Sequence, residues 1–267
     1  MQYTTLVHEL RDDGIAVVTL NRPERHNAFD ATVISEITHV FNSVSSDNPT
    51  RAVLLRGAGK SFSAGADIEW MRAQGSASES DNVRGALEME RAFSAIYNCN
   101  KPVVARVHGA ALGGGTGLTA AADIAISSAS CVFGFTEVRL GIIPAVISPF
   151  VIEKIGLAKA KALFLLGTRF RGAEAERIGL VFRAVPDEAL DDEIESALEA
   201  LKQGGKIALC AAKRLCQETG MQAPAAVVET TTRKIAEIRQ GEEAREGLAA
   251  FLEKRKPRWI IAEDKDQ

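Results

Sequence analysis

Apolar residues alternate or run in short blocks through the first half of the chain and fall into helical stripes in the second. Residues 3–9 and 14–20 flank Asp12-Asp13-Gly14 and predict a β-hairpin. Asn21-Arg22-Pro23-Glu24 then breaks the strand pattern. Asp30 stands at a helix N-cap position, and Val33, Ile34, Ile37, Val40, Phe41 and Val44 share one face of a helix predicted over 31–45. A strand at 51–57 leads through AGKSFSAGAD into a short helix from Asp67. The small polar stretch 74–82 reads as a mobile surface loop, a candidate lid, before a helix over 83–98. A strand at 102–107, a glycine cluster, a small-residue helix near 114–122 and strands at 123–127 and 131–133 follow. This alternation predicts an α/β fold. After residue 145 the pattern becomes almost wholly helical, with segments near 147–155, 157–165, 173–178, 187–202, 206–218, 223–239 and 242–254. The chain is accordingly divided into a core over 1–200 and a C-terminal helical region over 201–267.

Composition narrows the function classes. At 267 residues with 46% hydrophobic residues there is ample material for a sizeable core. A net charge of −3 and the lack of an aromatic-basic platform argue against nucleic acid as the main partner. No continuous apolar run is long enough to span a bilayer, and the N-terminus has no signal-peptide core, so a cytoplasmic location is expected. Cys99, Cys131, Cys210 and Cys216 form no CxxC pair and no zinc-type spacing with histidine. They read as reduced structural residues, and neither a metal nor a redox cofactor is expected.

Three segments carry candidate chemistry. Ser63-Ala64-Gly65-Ala66-Asp67 lies between a strand and a helix, where small residues admit a ligand close to the backbone; they also fit a plain tight turn. Gly113-Gly114-Gly115 enters a helix and exposes N–H groups at its positive end, which suits an anion or a developing oxyanion; close packing of the turn explains the glycines equally well. Glu137 stands in FGFTEVRLGIIP among apolar neighbours. If buried, its carboxyl pKa rises and it becomes a candidate general acid or base, whereas an exposed capping glutamate would do no chemistry. Gly115–Ala120 also satisfies GxGxxA, but the strand before it ends too early for a dinucleotide fingerprint.

The ordered set NRPERHNAF, SFSAGADIEWM, KPVVARVHGAALGGG, FGFTEVRLGIIP and AFLEKRKPRW resembles the crotonase, or enoyl-CoA hydratase/isomerase, superfamily from about residue 6 to 259. The resemblance implies a ββα spiral core with a C-terminal helical trimerisation region, and assembly as a homotrimer or a dimer of trimers. It implies an acyl-CoA thioester substrate, with coenzyme A as part of that substrate. The backbone N–H groups of Ala66 and Gly114 are then expected to form an oxyanion hole, with Glu137 beside it. Coenzyme A contacts are expected from Arg25, His26, Ala64, Asp67 and Ile68, and from Phe251 and Lys254 of a neighbouring subunit.

One departure matters. Two-glutamate hydratases of the family hold water between paired carboxylates, and the position of the second falls on Gly117. A single glutamate is typical of the Δ3,Δ2-enoyl-CoA isomerases. TEVRLGIIPAVISPFVIEKIG, with GGGTGL before it, is nonetheless most similar to bacterial hydratases associated with 3-methylglutaconyl-CoA in leucine breakdown, so enoyl-CoA hydration is the leading expectation and isomerisation the second. Residues 143–148 hold no carboxylate, which sets aside dehalogenase chemistry. Arg84 is a candidate partner for a distal substrate carboxylate.

Overall fold

The computed structural model describes residues 3–260. The chain runs β1 (Leu6–Leu10), β2 (Ile15–Leu20), α1 (Ala31–Ser46), β3 (Ala52–Gly57), α2 (Ile68–Gly75), α3 (Glu79–Tyr97), β4 (Val103–Val107), β5 (Ala110–Leu112) and α4 (Gly114–Ala121). It continues through β6 (Ile124–Ser128), β7 (Val132–Gly134), a 3-10 turn at Glu137–Leu140, α5 (Ser148–Ile155), α6 (Leu157–Leu166), β8 (Arg169–Arg171), α7 (Gly172–Ile178) and β9 (Arg183–Val185). It ends in α8 (Leu190–Gln203), α9 (Lys206–Thr219), α10 (Val228–Gln240) and α11 (Glu242–Leu252).

Six strands form one sheet in the order β1-β2-β3-β4-β6-β9. The predicted hairpin supplies its antiparallel edge pair, and the remaining pairs are parallel. A parallel sheet must be covered on both faces, which is why β2 is buried along all six residues. The two-residue strand period sorts them. Ala16, Val18, Leu20, Val53, Leu55, Val103 and Ala105 enter the larger core with Val33, Ile37, Phe41, Phe93 and Ile96 of α1 and α3. Ile15, Val17, Ala52, Leu54 and Val104 face the other way, onto Leu190, Ile194 and Leu198 of α8. A second, small sheet, β5-β7-β8, lies at the end of this core and carries the site.

Two expectations need correction. The polar stretch 74–82 is not a long loop: α2 runs to Gly75, and α3 begins at Glu79, four residues before the predicted start. Ser78 caps α3 by accepting a hydrogen bond from the Asp81 amide at 3.1 Å. The region after residue 145 is not wholly helical, because β8 and β9 complete the two sheets. Among the cysteines, Cys99 and Cys131 are buried as expected for structural residues, whereas Cys216 is exposed.

The last helices are held differently from the core. α9 and α10 bury no residue completely. Lys213 of α9 pairs with Asp123 at 2.8 Å. Arg51 donates to the carbonyls of Lys202 and Gly204 at 3.1 and 2.9 Å. Glu243 accepts from the first amides of α9, those of Ile207 and Ala208. Among the described residues no helix is long and apolar enough to cross a membrane.

Candidate active site

Two isolated bridges bring the glycine-bearing loops together. Ser63 pairs in parallel with Ala111, donating to the Ala110 carbonyl and accepting from the Leu112 amide, both at 3.0 Å. Phe29 pairs in parallel with Ala66: its amide donates to Gly65 O at 2.8 Å, and the Asp67 amide donates back to Phe29 O at 2.8 Å. A parallel bridge of this kind uses the amides on either side of Ala66, so the N–H of Ala66 itself points away from Phe29. It donates to no acceptor among the described residues. Gly114 opens α4, and its N–H belongs to the first turn, which has no partner inside the helix. Gly65 lies at φ +89°, and a methyl placed on it would sit 2.7 Å from Leu112 O and 3.4 Å from Gly114 N. The loop bearing Ala66 therefore rests directly on the start of α4, and only glycine at 65 permits that approach.

The small sheet then delivers the carboxylate. β7 pairs with β5 in the register Leu112↔Gly134, and the Gly113 amide donates to Gly134 O at 2.9 Å. The buried Thr116 hydroxyl, 2.6 Å from Ala111 O and 3.2 Å from Gly134 O, ties the two strands together. Glu137 follows three residues later and turns back over Gly113. A methyl on Gly113 would lie 3.0 Å from Glu137 Oε1. Glu137 Oε2 is buried without a hydrogen-bond partner. Burial pushes its carboxyl pKa above the usual glutamate value, and a hydrogen bond from its own backbone amide opposes that only in part. A protonatable carboxyl thus stands over Gly113, next in the chain to the Gly114 amide, on which the Ala66 loop rests.

One turn along α4, the second-carboxylate position is closed. A methyl on Gly117 would lie 2.4 Å from Ile147 Cγ2 and 3.0 Å from Phe93 Cε1.

The expected coenzyme A residues divide. Arg25, His26, Ala64, Asp67 and Ile68 fall in the two loops that frame Ala66. His26 adopts a left-handed backbone at φ 51°, with Nδ1 3.1 Å from Ser61 Oγ. Arg25 lies 3.7 Å from Glu69. The Ala64 amide is engaged by His26 O. The Asp67 carboxylate is occupied in capping α2 through the Glu69 and Trp70 amides. Ile68 is exposed. Phe251, 81% exposed, and Lys254 lie at the end of α11, which packs on α9 and α10. Arg84 is exposed and pairs with Asp81 of its own helix at 2.5 Å.

Sequence reasoning missed three residues. Arg22 joins the first loop to the loop bearing Ala66, donating to Ala28 O at 2.7 Å and pairing with Asp30 at 3.1 Å and Asp67 at 3.4 Å. These aspartates cap α1 and α2, so one guanidinium fixes the starts of both helices. The other two, Phe93 and Ile147, make the closed face at Gly117.

Comparison with known proteins gives a consistent answer. A family model described as "Enoyl-CoA hydratase/isomerase" matches residues 11–261. A probable enoyl-CoA hydratase of Rhodobacter capsulatus is 34% identical over 263 residues, covering 97% of this chain and 99% of that protein. The short-chain-enoyl-CoA hydratase of Clostridium acetobutylicum is 31% identical, covering 92% and 94%. Among solved structures, an enoyl-CoA hydratase from Shewanella pealeana superposes with a TM-score of 0.92 at 36% identity, covering 97% of each chain. AtuE of Pseudomonas aeruginosa superposes with a TM-score of 0.91 at 37% identity, covering 96% of this chain and 100% of that one.

Proposed function

We propose that this chain, which belongs to the enoyl-CoA hydratase/isomerase family, adds water syn to the double bond of a 2-enoyl-CoA thioester, with Glu137 as its only side-chain proton carrier. The observation that carries this reading is the buried, unpartnered Glu137 carboxyl set over Gly113, next to the free amides of Ala66 and Gly114. The thioester oxygen accepts from those two N–H groups. Water attacks the β-carbon, and the electron pair of the double bond moves toward the thioester oxygen as an enolate. The ionised Glu137 takes the proton that water loses, then returns a proton to the α-carbon, so the carboxylate ends as it began. The amides carry the electrostatic load, since one oxyanion donor is typically worth about 2.7–4 kcal/mol. The names of the relatives support hydration.

Δ3,Δ2-isomerisation is the second reading, favoured by the closed position at Gly117. There the same glutamate removes a proton at the α-carbon and replaces it at the γ-carbon, and no water is needed. Within the hydratase reading, the resemblance noted in the sequence favours 3-methylglutaconyl-CoA and a place in leucine degradation. Assaying the purified protein with 3-methylglutaconyl-CoA, crotonyl-CoA and a 3-enoyl-CoA separates these cases. Hydration should be the faster reaction, and greater turnover of the 3-enoyl substrate would assign the isomerase.

Assembly as a trimer or a dimer of trimers belongs to the same proposal. Its support is the exposed apolar set Leu248, Phe251 and Leu252 at the end of α11, beside the residues expected to serve a neighbouring subunit. Light scattering that gives a monomeric mass at assay concentration would remove it.

A further inference from the structure

Gly117 lies in the second turn of α4, three residues after the amide that opens the helix at Gly114. The Gly113 side meets Glu137 Oε1, while the Gly117 side meets hydrocarbon. A Cβ at 117 would fall 2.4 Å from Ile147 Cγ2, 2.9 Å from Ile147 Cβ and 3.0 Å from Phe93 Cε1. Neither neighbour can easily give way. Ile147 is 3% exposed and immediately precedes α5, where Val151 N donates back to its carbonyl at 3.1 Å. Phe93 is 1% exposed and edge-packed on Phe29, whose ring in turn lies against Gly114. The glycine is therefore not merely a missing side chain. The space a side chain would use has been taken by a β-branched residue thirty positions later in the sequence.

We infer that Ile147, backed by Phe93, is a specificity-determining residue of this site: it excludes any second carboxylate from α4 and confines side-chain proton transfer to one glutamate. This rests on the reading of Glu137 as the acid/base. It adds that the choice between one and two carboxylates is made by a packing pair, Gly117 with Ile147, and not by position 117 alone. A carboxylate introduced at 117 in the native background has nowhere to go. With Ile147 removed, the same side chain has room one helical turn from Gly113, over which Glu137 lies, and in this proposal it takes the proton of the attacking water and leaves the α-carbon to Glu137.

The test is a coupled substitution in the full-length protein. Gly117→Ala should lower Tm by several degrees in the native background and by little or nothing in the Ile147→Gly background, because contacting residues that share one volume are non-additive. An equal drop in both backgrounds, or no drop in the native one, would overturn the inference. For catalysis, Gly117→Glu combined with Ile147→Gly should raise the ratio of crotonyl-CoA hydration to 3-enoyl-CoA isomerisation at least about tenfold over Ile147→Gly alone, a fraction of the roughly hundredfold or more that a fully positioned general base contributes. An unchanged ratio would overturn the catalytic half. Failure of the underlying reading shows separately: Glu137→Gln with native turnover removes the acid/base assignment and leaves the Tm comparison as it stands.

Discussion

The two turns at the start of α4 use the same residue for opposite ends. In the first, glycine leaves one side open to polar groups: Gly113 stands under the Glu137 carboxyl, and Gly114, although Phe29 closes its own side-chain direction, offers an amide with no acceptor among the described residues. In the second, glycine marks space already filled, by Ile147 and Phe93. Both turns are close-packed, but the first presents an unpartnered carboxyl oxygen and amide, whereas at Gly117 the neighbours are hydrocarbon alone. The contrast teaches that a glycine run has no single meaning. What it permits depends on which later segment packs against it, and here two segments of different chemistry do so within four residues.

The first way to break the comparison is to remove the carboxyl from the open side. Glu137→Gln preserves shape and leaves the amides in place, so turnover should fall at least about a hundredfold, in the range of general acid–base catalysis. The fold should not suffer, since a buried carboxyl oxygen without a partner gives way to a neutral amide. Steady-state kinetics beside a thermal melt checks both halves. A variant with near-native turnover and an intact fold ends the assignment.

Gly113→Ala comes next. The residue lies at φ +50° and ψ −116°, a backbone region hostile to side chains, and the new methyl would press on Glu137 Oε1 at 3.0 Å. Backbone strain of this kind costs about 1–3 kcal/mol. Both stability and kcat/KM should fall, the latter at least about tenfold if the carboxyl is displaced. An alanine variant with native kinetics would mean that the Glu137 carboxyl does not depend on the space above Gly113.

A smaller loss is expected for Arg22→Met. It keeps the length of the side chain but severs its links to Ala28 O, Asp30 and Asp67. Leaving such groups unsatisfied costs about 1–3 kcal/mol. Because the loop it braces carries the Ala66 amide, kcat should fall more than KM rises. A pure KM effect would show instead that Arg22 serves ligand binding alone.

Much of this was legible in the chain, and the misses have physical causes. Apolar periodicity located β2, α1, β3, β4 and α4 within a residue or two, because each buries a continuous face; β1, exposed except at Leu6, starts three residues later than its pattern predicts. β5, β7, β8 and β9 are only three residues long, and of these the apolar pattern anticipates β7 alone. The segment 74–82 was misread from its small polar residues, although Ser78 and Asp81 already spelled a helix start three residues apart. Glu137 and the two amides could be named because local motifs carry them. Ile147 could not, since its role exists only in contact with Gly117, and a lone isoleucine in sequence is indistinguishable from core.

The subtlest prediction sharpens the comparison through pH. Glu137 has its pKa raised chiefly by burial, so the unfolded chain loses this proton at a lower pH than the folded one. Stability attributable to the group is therefore complete below the ordinary glutamate range and is lost as pH rises through the raised folded value. Subtracting the Glu137→Gln melting curve at each pH isolates the group from other carboxyls, such as Asp123, whose pKa burial also raises. Activity must run the other way over the same window, because the ionised form takes the proton from water. The acid limb of kcat/KM should then lie above the pH at which a solvent-exposed glutamate titrates, and it should coincide with the fall in stability. An acid limb at or below that pH would show that the carboxyl is hydrated when it works, and that the open side of α4 is wetter than its unpartnered oxygen implies.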